Sequence, residues 1–96
     1  MKLFSPAKIN LTLAVGAPRA DGFHPLDSIV TPLTLGDDVF LEKAEATALS
    51  MESETVDLSD IPVDTEKNLA VRAVRILEKH VERALPTKIR IVKRIP

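Results

Sequence analysis

Alternating apolar and polar residues dominate the first fifteen positions of the chain. The apolar set is Ile9, Leu11, Leu13 and Val15, and the set between them is Lys8, Asn10, Thr12 and Ala14, of which the first three are polar. A two-residue period is typical of a β-strand with one buried face. Residues 3–15 are therefore predicted to form a half-buried strand, on whose polar face the side chains of Lys8 and Asn10 are neighbours.

Turn residues interrupt the extended pattern twice in the next part of the chain. Glycine, proline and an Asp-Gly pair predict a turn over residues 16–22. Residues 23–35 continue as an apolar extended segment, in which two prolines favour an edge or irregular strand. The Gly-Asp-Asp run at 36–38 predicts a second turn before a strand at 39–41. Three successive strands predict a meander.

The second half of the chain predicts one helix between two strands. A short strand is predicted near Leu49. Asn68 can cap a helix, and apolar residues recur at spacings of three and four over residues 69–84, until Pro86 ends the pattern. Alternation over 88–95 predicts a last strand. The whole pattern predicts an α+β fold, with a mostly antiparallel sheet and one main helix packed on a face.

Composition excludes several classes of function. A chain of 96 residues with 45% hydrophobic content has room for one small domain. A net charge of -1 and three scattered phenylalanines provide neither a basic surface nor a stacking platform, so no nucleic-acid partner is predicted. The acidic stretch 52–64 lacks the ligand spacing of a calcium loop and is predicted to be a solvated loop.

The same composition bears on location. The absence of cysteine fits a reducing compartment, and we predict a cytoplasmic protein. The N-terminus does not follow the pattern of a signal peptide, and no apolar run approaches the roughly 18 residues of a membrane span. No membrane partner is predicted.

Five short runs carry the candidate chemistry. They are Pro6-Ala7-Lys8-Ile9-Asn10-Leu11, Arg19-Ala20-Asp21-Gly22-Phe23-His24, Leu35-Gly36-Asp37, Asn68-Leu69-Ala70-Val71-Arg72-Ala73 and Lys93-Arg94-Ile95-Pro96. In order and spacing they resemble the opening of the GHMP kinase superfamily. The second run resembles the branch that acts on 4-diphosphocytidyl-2-C-methyl-D-erythritol. The implied fold is the N-terminal half of the superfamily's ATP-binding domain, of the ribosomal protein S5 domain 2-like type, over residues 1–96.

The resemblance implies an activity and a set of site residues. The family transfers the γ-phosphoryl group of ATP to the 2-hydroxyl of the methylerythritol compound in non-mevalonate isoprenoid biosynthesis. In such a transfer the enzyme mainly positions the reactants and neutralises the charge on the phosphoryl oxygens. It implies that Lys8 is catalytic. It implies that the substrate is bound by Asn10, Phe23 and His24, and the nucleotide by Asn68, Leu69, Ala70 and Lys93. Magnesium is expected to accompany ATP, with no metal ligand in this chain.

One substitution departs from the family pattern. Phe23 stands where the family commonly has tyrosine, so a ring face for stacking remains but the phenolic hydroxyl is absent. Without the motifs around them, Lys8 and Asn10 would be interpreted as solvated strand residues, and Asn68 as a helix cap.

The resemblance also implies what lies beyond the last residue. In the family a Gly/Ser-rich phosphate-binding loop follows the Arg-Ile-Pro run, and an aspartate further on works with the lysine. The 96 residues are therefore expected to be inactive by themselves, and to self-associate or be complemented by the missing part. Two interpretations stay open beside this one. The chain could be a ligand-binding or interaction module of the same fold, or a GHMP kinase with a different substrate.

Overall fold

The computed structural model describes residues 1–61 and 65–96, which form a mixed four-stranded sheet and one α-helix. The strands are β1 (Lys2–Val15), β2 (Leu26–Lys43), β3 (Ala48–Glu52) and β4 (Thr87–Val92), and the helix is α1 (Leu69–Val81), preceded by a 3-10 turn at Thr65–Lys67. The end of the acidic stretch predicted as a solvated loop, residues 62–64, lies outside the described residues. The α+β prediction is confirmed.

The order of strands across the sheet is β1-β2-β4-β3. Strand β2 pairs antiparallel with β1 on one side and with β4 on the other, whereas β3 and β4 are parallel. A parallel pair needs a crossover connection, and α1 lies in the segment that joins β3 to β4. The sheet is therefore antiparallel across β1, β2 and β4 and parallel at its β3 edge.

Strands β1 and β2 form a long hairpin with two irregularities. Pairing extends from Lys2 opposite Phe40 to Val15 opposite Leu26, and the register shifts between Pro6 and Lys8 and again between Asn10 and Thr12. The first shift falls beside proline, which has no N–H to give to the ladder, so a bulge is the expected accommodation there.

The turn predicted at residues 36–38 is wrong, and with it the three-strand meander. Strand β2 continues through these residues, with Gly36 opposite Pro6 and Asp37 opposite Ser5. The Phe4 ring lies so close to Gly36 that a Cβ there would collide with it. The Asp37 carboxylate accepts hydrogen bonds from residues 94 and 95 instead of capping a local turn. These distant contacts override the local turn preference.

A small core joins α1 to the sheet. Its buried residues are Val71, Ile89 and Ile91, and the partly buried residues packed against them are Val39, Leu41, Leu49, Met51, Ala70 and Val74. Residues two apart on a strand share a face, which explains why Ile89 and Ile91 both meet the helix. The core thus lies over the part of the sheet formed by β2, β4 and β3.

The prediction of a half-buried β1 is wrong in this structure. Ile9 is 46% exposed and Leu11 is 62% exposed, and the other apolar members of that face are also exposed. The reason is topological: β1 is an edge strand, and α1 packs over the other end of the sheet.

The helix begins where the sequence predicts. Asn68 caps it, and its Oδ1 accepts the Ala70 N–H at 2.9 Å. The helix ends at Val81, before the predicted limit at 84, because Glu82 adopts a left-handed conformation with φ 56°. A hydrogen bond of 2.8 Å from the Leu85 N–H to the Glu78 carboxylate then ties the end of the helix to the approach to β4.

The core position of Ile89 leads to a stability prediction. Ile89 is 1% exposed, so Ile89→Ala removes buried methyl groups and is expected to lower the free energy of unfolding by about 2–5 kcal/mol. Urea unfolding followed by circular dichroism measures this change. Ile76→Ala is the matched control, since Ile76 is 67% exposed on α1, and it is expected to change the free energy by less than about 0.5 kcal/mol. Equal losses in the two variants would contradict this location of the core.

Candidate functional site

A groove of about 460 Å³ opens beside the start of α1. It contains all four residues predicted to bind a nucleotide, namely Asn68, Leu69, Ala70 and Lys93. The sheet contributes further walls, including the apolar side chains of Val39, Met51 and Ile91. Residues that are more than twenty positions apart in the sequence therefore meet at one mostly apolar surface.

The start of α1 forms one side of this groove. Asn68 is buried, and its side-chain oxygen is already engaged as the helix cap, so its orientation is fixed before any ligand binds. Leu69 is 77% exposed. The capped first turn thus offers a rigid backbone with one exposed apolar side chain.

Lys93 and Asp37 form the opposite side of the groove. The Lys93 ammonium donates to Asp37 Oδ2 at 2.6 Å. Asp37 Oδ1 accepts the N–H groups of Arg94 at 2.7 Å and of Ile95 at 2.9 Å. We call this arrangement of one carboxylate and three donors the Asp37 clasp.

The Asp37 clasp was not predicted from the sequence, which assigned Asp37 to a turn. The available signal was the Leu35-Gly36-Asp37 run, which belongs to the five runs that resemble the family.

The clasp changes the titration of Asp37. Burial of the carboxyl raises its pKa, but the hydrogen bonds from the Arg94 and Ile95 backbones and from the Lys93 ammonium more than offset that effect. The pKa of Asp37 is therefore held below its ordinary value. Asp37 is ionised at neutral pH.

Lys8 and Asn10 form a second feature on β1. The Lys8 ammonium donates to Asn10 Oδ1 at 3.3 Å, and both residues are exposed. The prediction that these two side chains are neighbours is confirmed. An ammonium next to a carboxamide on an open strand can hold a hydroxyl group and an anion at adjacent positions.

Phe23 and His24 lie in the loop that closes the β1-β2 hairpin. His24 Nδ1 is 2.9 Å from the Gly16 carbonyl oxygen. Because a carbonyl only accepts, Nδ1 carries the proton in this contact, and the neutral ring then presents Nε2 as an acceptor. The loop holds Phe23 through hydrogen bonds of its N–H to Asp21 and of its carbonyl to the Arg19 N–H. The Phe23 ring is 69% exposed.

The structure does not bring the loop next to the lysine. Val15, where β1 ends, is seven residues beyond Lys8, which corresponds to about 23 Å of extended strand. The predicted site residues therefore form three groups, namely the groove, the Lys8–Asn10 pair and the hairpin loop.

Within residues 1–61 and 65–96, no three side chains of the ligating types gather closely enough to hold a metal ion. No helix in that described part of the chain is long and apolar enough to cross a membrane.

The fold of the chain matches part of a small-molecule kinase. It matches the crystal structure of a 4-(cytidine 5'-diphospho)-2C-methyl-D-erythritol kinase with a TM-score of 0.70 and 29% sequence identity. The match covers 100% of this chain and 32% of that one. No protein-family model matches the chain.

Curated relatives specify the family. A 4-diphosphocytidyl-2-C-methyl-D-erythritol kinase from Carboxydothermus hydrogenoformans is 42% identical over 96 residues, which are 100% of this chain and 31% of the relative. The kinase of the same name from Mycobacterium tuberculosis H37Rv is 40% identical over 91 residues, or 95% of this chain and 28% of the relative.

The chain is therefore homologous, over its whole length, to the N-terminal part of the 4-diphosphocytidyl-2-C-methyl-D-erythritol kinases. The family resemblance found in the sequence is confirmed. The chain spans about a third of the length of the relatives it matches.

The lowered pKa of Asp37 leads to a prediction about acid stability. A carboxyl whose pKa is depressed by folding contributes stability above its unfolded pKa of about 3.9, and this contribution is lost as the pH falls through the lower folded value. We expect Asp37→Asn to unfold at lower urea concentration than wild type at pH 7, and the difference to shrink as the pH falls below about 4. A constant gap between wild type and Asp37→Asn from pH 7 to 2 would contradict this account of the carboxylate.

Proposed function

We propose that this chain is the N-terminal part of an ATP-dependent kinase that phosphorylates the 2-hydroxyl of 4-diphosphocytidyl-2-C-methyl-D-erythritol, a step of non-mevalonate isoprenoid biosynthesis. The observation that carries the proposal is the 42% identity, over all 96 residues, to a relative named for this kinase. The polypeptide that corresponds to the rest of the relatives would supply the remaining parts of the active site.

Lys8 is the catalytic residue of the proposal. The reaction transfers a phosphoryl group between two oxygens, and negative charge on its equatorial oxygens must be neutralised while the acceptor hydroxyl is held in line. The Lys8 ammonium, 3.3 Å from Asn10 Oδ1, is a compact positive charge suited to this task. Asn10 would bind the substrate next to the reacting hydroxyl through its carboxamide.

The hairpin loop would bind the cytidine end of the substrate. Cytosine presents an exocyclic amino group that donates hydrogen bonds. His24 offers an acceptor at Nε2, because its Nδ1 proton is engaged by Gly16. The exposed Phe23 ring can lie against the face of the base. Recognition in this proposal needs no phenolic hydroxyl at position 23.

The groove would bind the adenine end of ATP. Its apolar walls suit a flat heteroaromatic ring, and the Asn68–Ala70 backbone and Lys93 provide polar contacts at its edge. Magnesium would accompany ATP and neutralise its phosphates. We assign no residue of this chain to the metal, because no set of ligands is brought together in the described residues.

Partners and location complete the proposal. ATP and the methylerythritol compound are the small-molecule partners, and the near-neutral charge gives no reason to add a nucleic acid. A reducing cytoplasmic location fits a chain without cysteine. Self-association, or complementation by the rest of the kinase, would cover the exposed apolar residues of β1.

A complementation assay tests the kinase proposal. The purified chain is mixed with a C-terminal fragment of the Carboxydothermus hydrogenoformans kinase that contains the part this chain does not match. We expect ATP-dependent phosphorylation of 4-diphosphocytidyl-2-C-methyl-D-erythritol by the mixture and none by either piece alone. In the mixture, Lys8→Ala is expected to lower kcat by at least about 100-fold, the usual scale for loss of a transition-state charge contact.

Lys79→Ala is the control, because Lys79 is an exposed lysine on α1 outside all three groups of site residues. It is expected to leave the rate unchanged. An inactive mixture in which both pieces are folded and associated would argue against the kinase and for a ligand-binding module. Turnover by the 96 residues alone would refute the need for the rest of the protein, and an active mixture insensitive to Lys8→Ala would remove the role of this lysine.

A further inference from the structure

The Asp37 clasp lies on the wall of the groove, and its geometry connects two chain segments that are far apart in sequence. Asp37 belongs to β2, and its three donors belong to the residues that follow β4. The alternation of β2 places Asp37 on the same face as Val39, toward α1. Asp37 is buried to 7% exposure, and within the described residues the hydrogen bonds of its carboxylate come from the segment that carries Lys93.

Lys93 is held from two directions. Its backbone N–H donates to the Glu52 carbonyl at 2.8 Å, and its carbonyl accepts the Ser53 hydroxyl at 2.7 Å, which fixes the main chain against the end of β3. Its ammonium is held by Asp37, and the Lys93 side chain is only 20% exposed. A lysine usually extends its charge into water. Here the charge is held at the wall of the groove.

We propose that Asp37 is a positioning residue for nucleotide binding, acting through Lys93. This inference rests on the proposed function. By holding the ammonium, the carboxylate makes the four-carbon stem of Lys93 a fixed part of the groove wall and neutralises its charge. The rest of the groove is mostly apolar, which suits an uncharged heteroaromatic base. Asp37 therefore sets the shape of the Lys93 wall that meets the base.

Loss of the carboxylate has a specific consequence in this account. In Asp37→Asn the side chain keeps its size and an oxygen for the Arg94 and Ile95 N–H groups, but it no longer neutralises Lys93. The Lys93 side chain regains its rotational freedom, and a bound base loses part of its fixed wall. Because the lost contact is with the base, adenosine reports this loss directly, whereas the released Lys93 ammonium also attracts the phosphates of ATP.

The experiment is a titration of the ¹⁵N-labelled 96-residue chain with ATP and with adenosine, followed by the amide resonances of residues 68–70. We expect saturable shifts in wild type with both ligands, and about fivefold weaker binding of adenosine in Asp37→Asn, which is the scale of one ordinary hydrogen bond. The control is Asp38→Asn. Asp38 contacts Lys2 and Arg94 from the other face of the sheet, and this variant is expected to bind both ligands as wild type does.

A double-mutant cycle separates positioning from general stability. If Asp37 acts through Lys93, Asp37→Asn combined with Lys93→Met should bind adenosine no more weakly than Lys93→Met alone. If Asp37→Asn does not fold, Asp37→Glu replaces it, because it keeps the charge and displaces the carboxylate by one methylene group. Weaker adenosine binding by Asp37→Glu then supports the proposal, and binding as tight as wild type overturns it.

The remaining outcomes distinguish this inference from the proposed function. A folded Asp37→Asn chain that binds adenosine like wild type overturns the positioning role and leaves the nucleotide groove intact. Additive losses in the cycle also overturn it. A wild-type chain that binds neither ligand overturns the groove as a nucleotide site in this chain, and this inference with it. The kinase proposal is then judged separately by the complementation assay.

Discussion

The pairing of β2 with β4 is the interaction on which the rest of this structure depends. It aligns Leu41 with Ile89 and Val39 with Ile91, and so builds the sheet face that α1 covers. The same register brings the residues after β4 alongside Asp37, where a buried carboxylate needs donors and finds three. One antiparallel ladder therefore sets both the core and one wall of the groove.

The packed core and two of the three groups of predicted site residues occupy different parts of the chain. The packed core lies over β2, β3 and β4, whereas the long end of the β1-β2 hairpin is exposed on both faces. That hairpin carries the Lys8–Asn10 pair and the loop with His24. The placement of binding residues on a surface outside the core is common, because a core position leaves no room for a ligand. Here the hairpin also exposes apolar residues such as Leu11 and Leu13. Exposed apolar surface of this kind is usually a site of contact with another polypeptide segment.

Local signals in the sequence were reliable where the structure they specify is also local. The helix begins at the predicted cap because Asn68 bonds to an amide two residues away, a contact that forms whatever surrounds it. The Lys8–Asn10 neighbourhood follows from the period of a strand in the same way. Motif order was sufficient to find the kinase family, since it depends on residue identity rather than on packing. The four residues assigned to the nucleotide do share one groove, although their binding role is still a prediction.

The sequence by itself determined the elements: a strand at the start, a capped helix, a closing strand, and the family to which their motifs belong. Only the tertiary structure decided which strands are neighbours and which faces are buried. The reason is visible at residues 36–38, where composition favours a turn, but the Phe4 ring over Gly36 and the three donors to Asp37 hold an extended strand. It is visible again at β1, whose alternation predicts a buried face that this fold leaves exposed. Both outcomes depend on contacts between residues distant in sequence, and the energy of such contacts exceeds local preference once the sheet has formed.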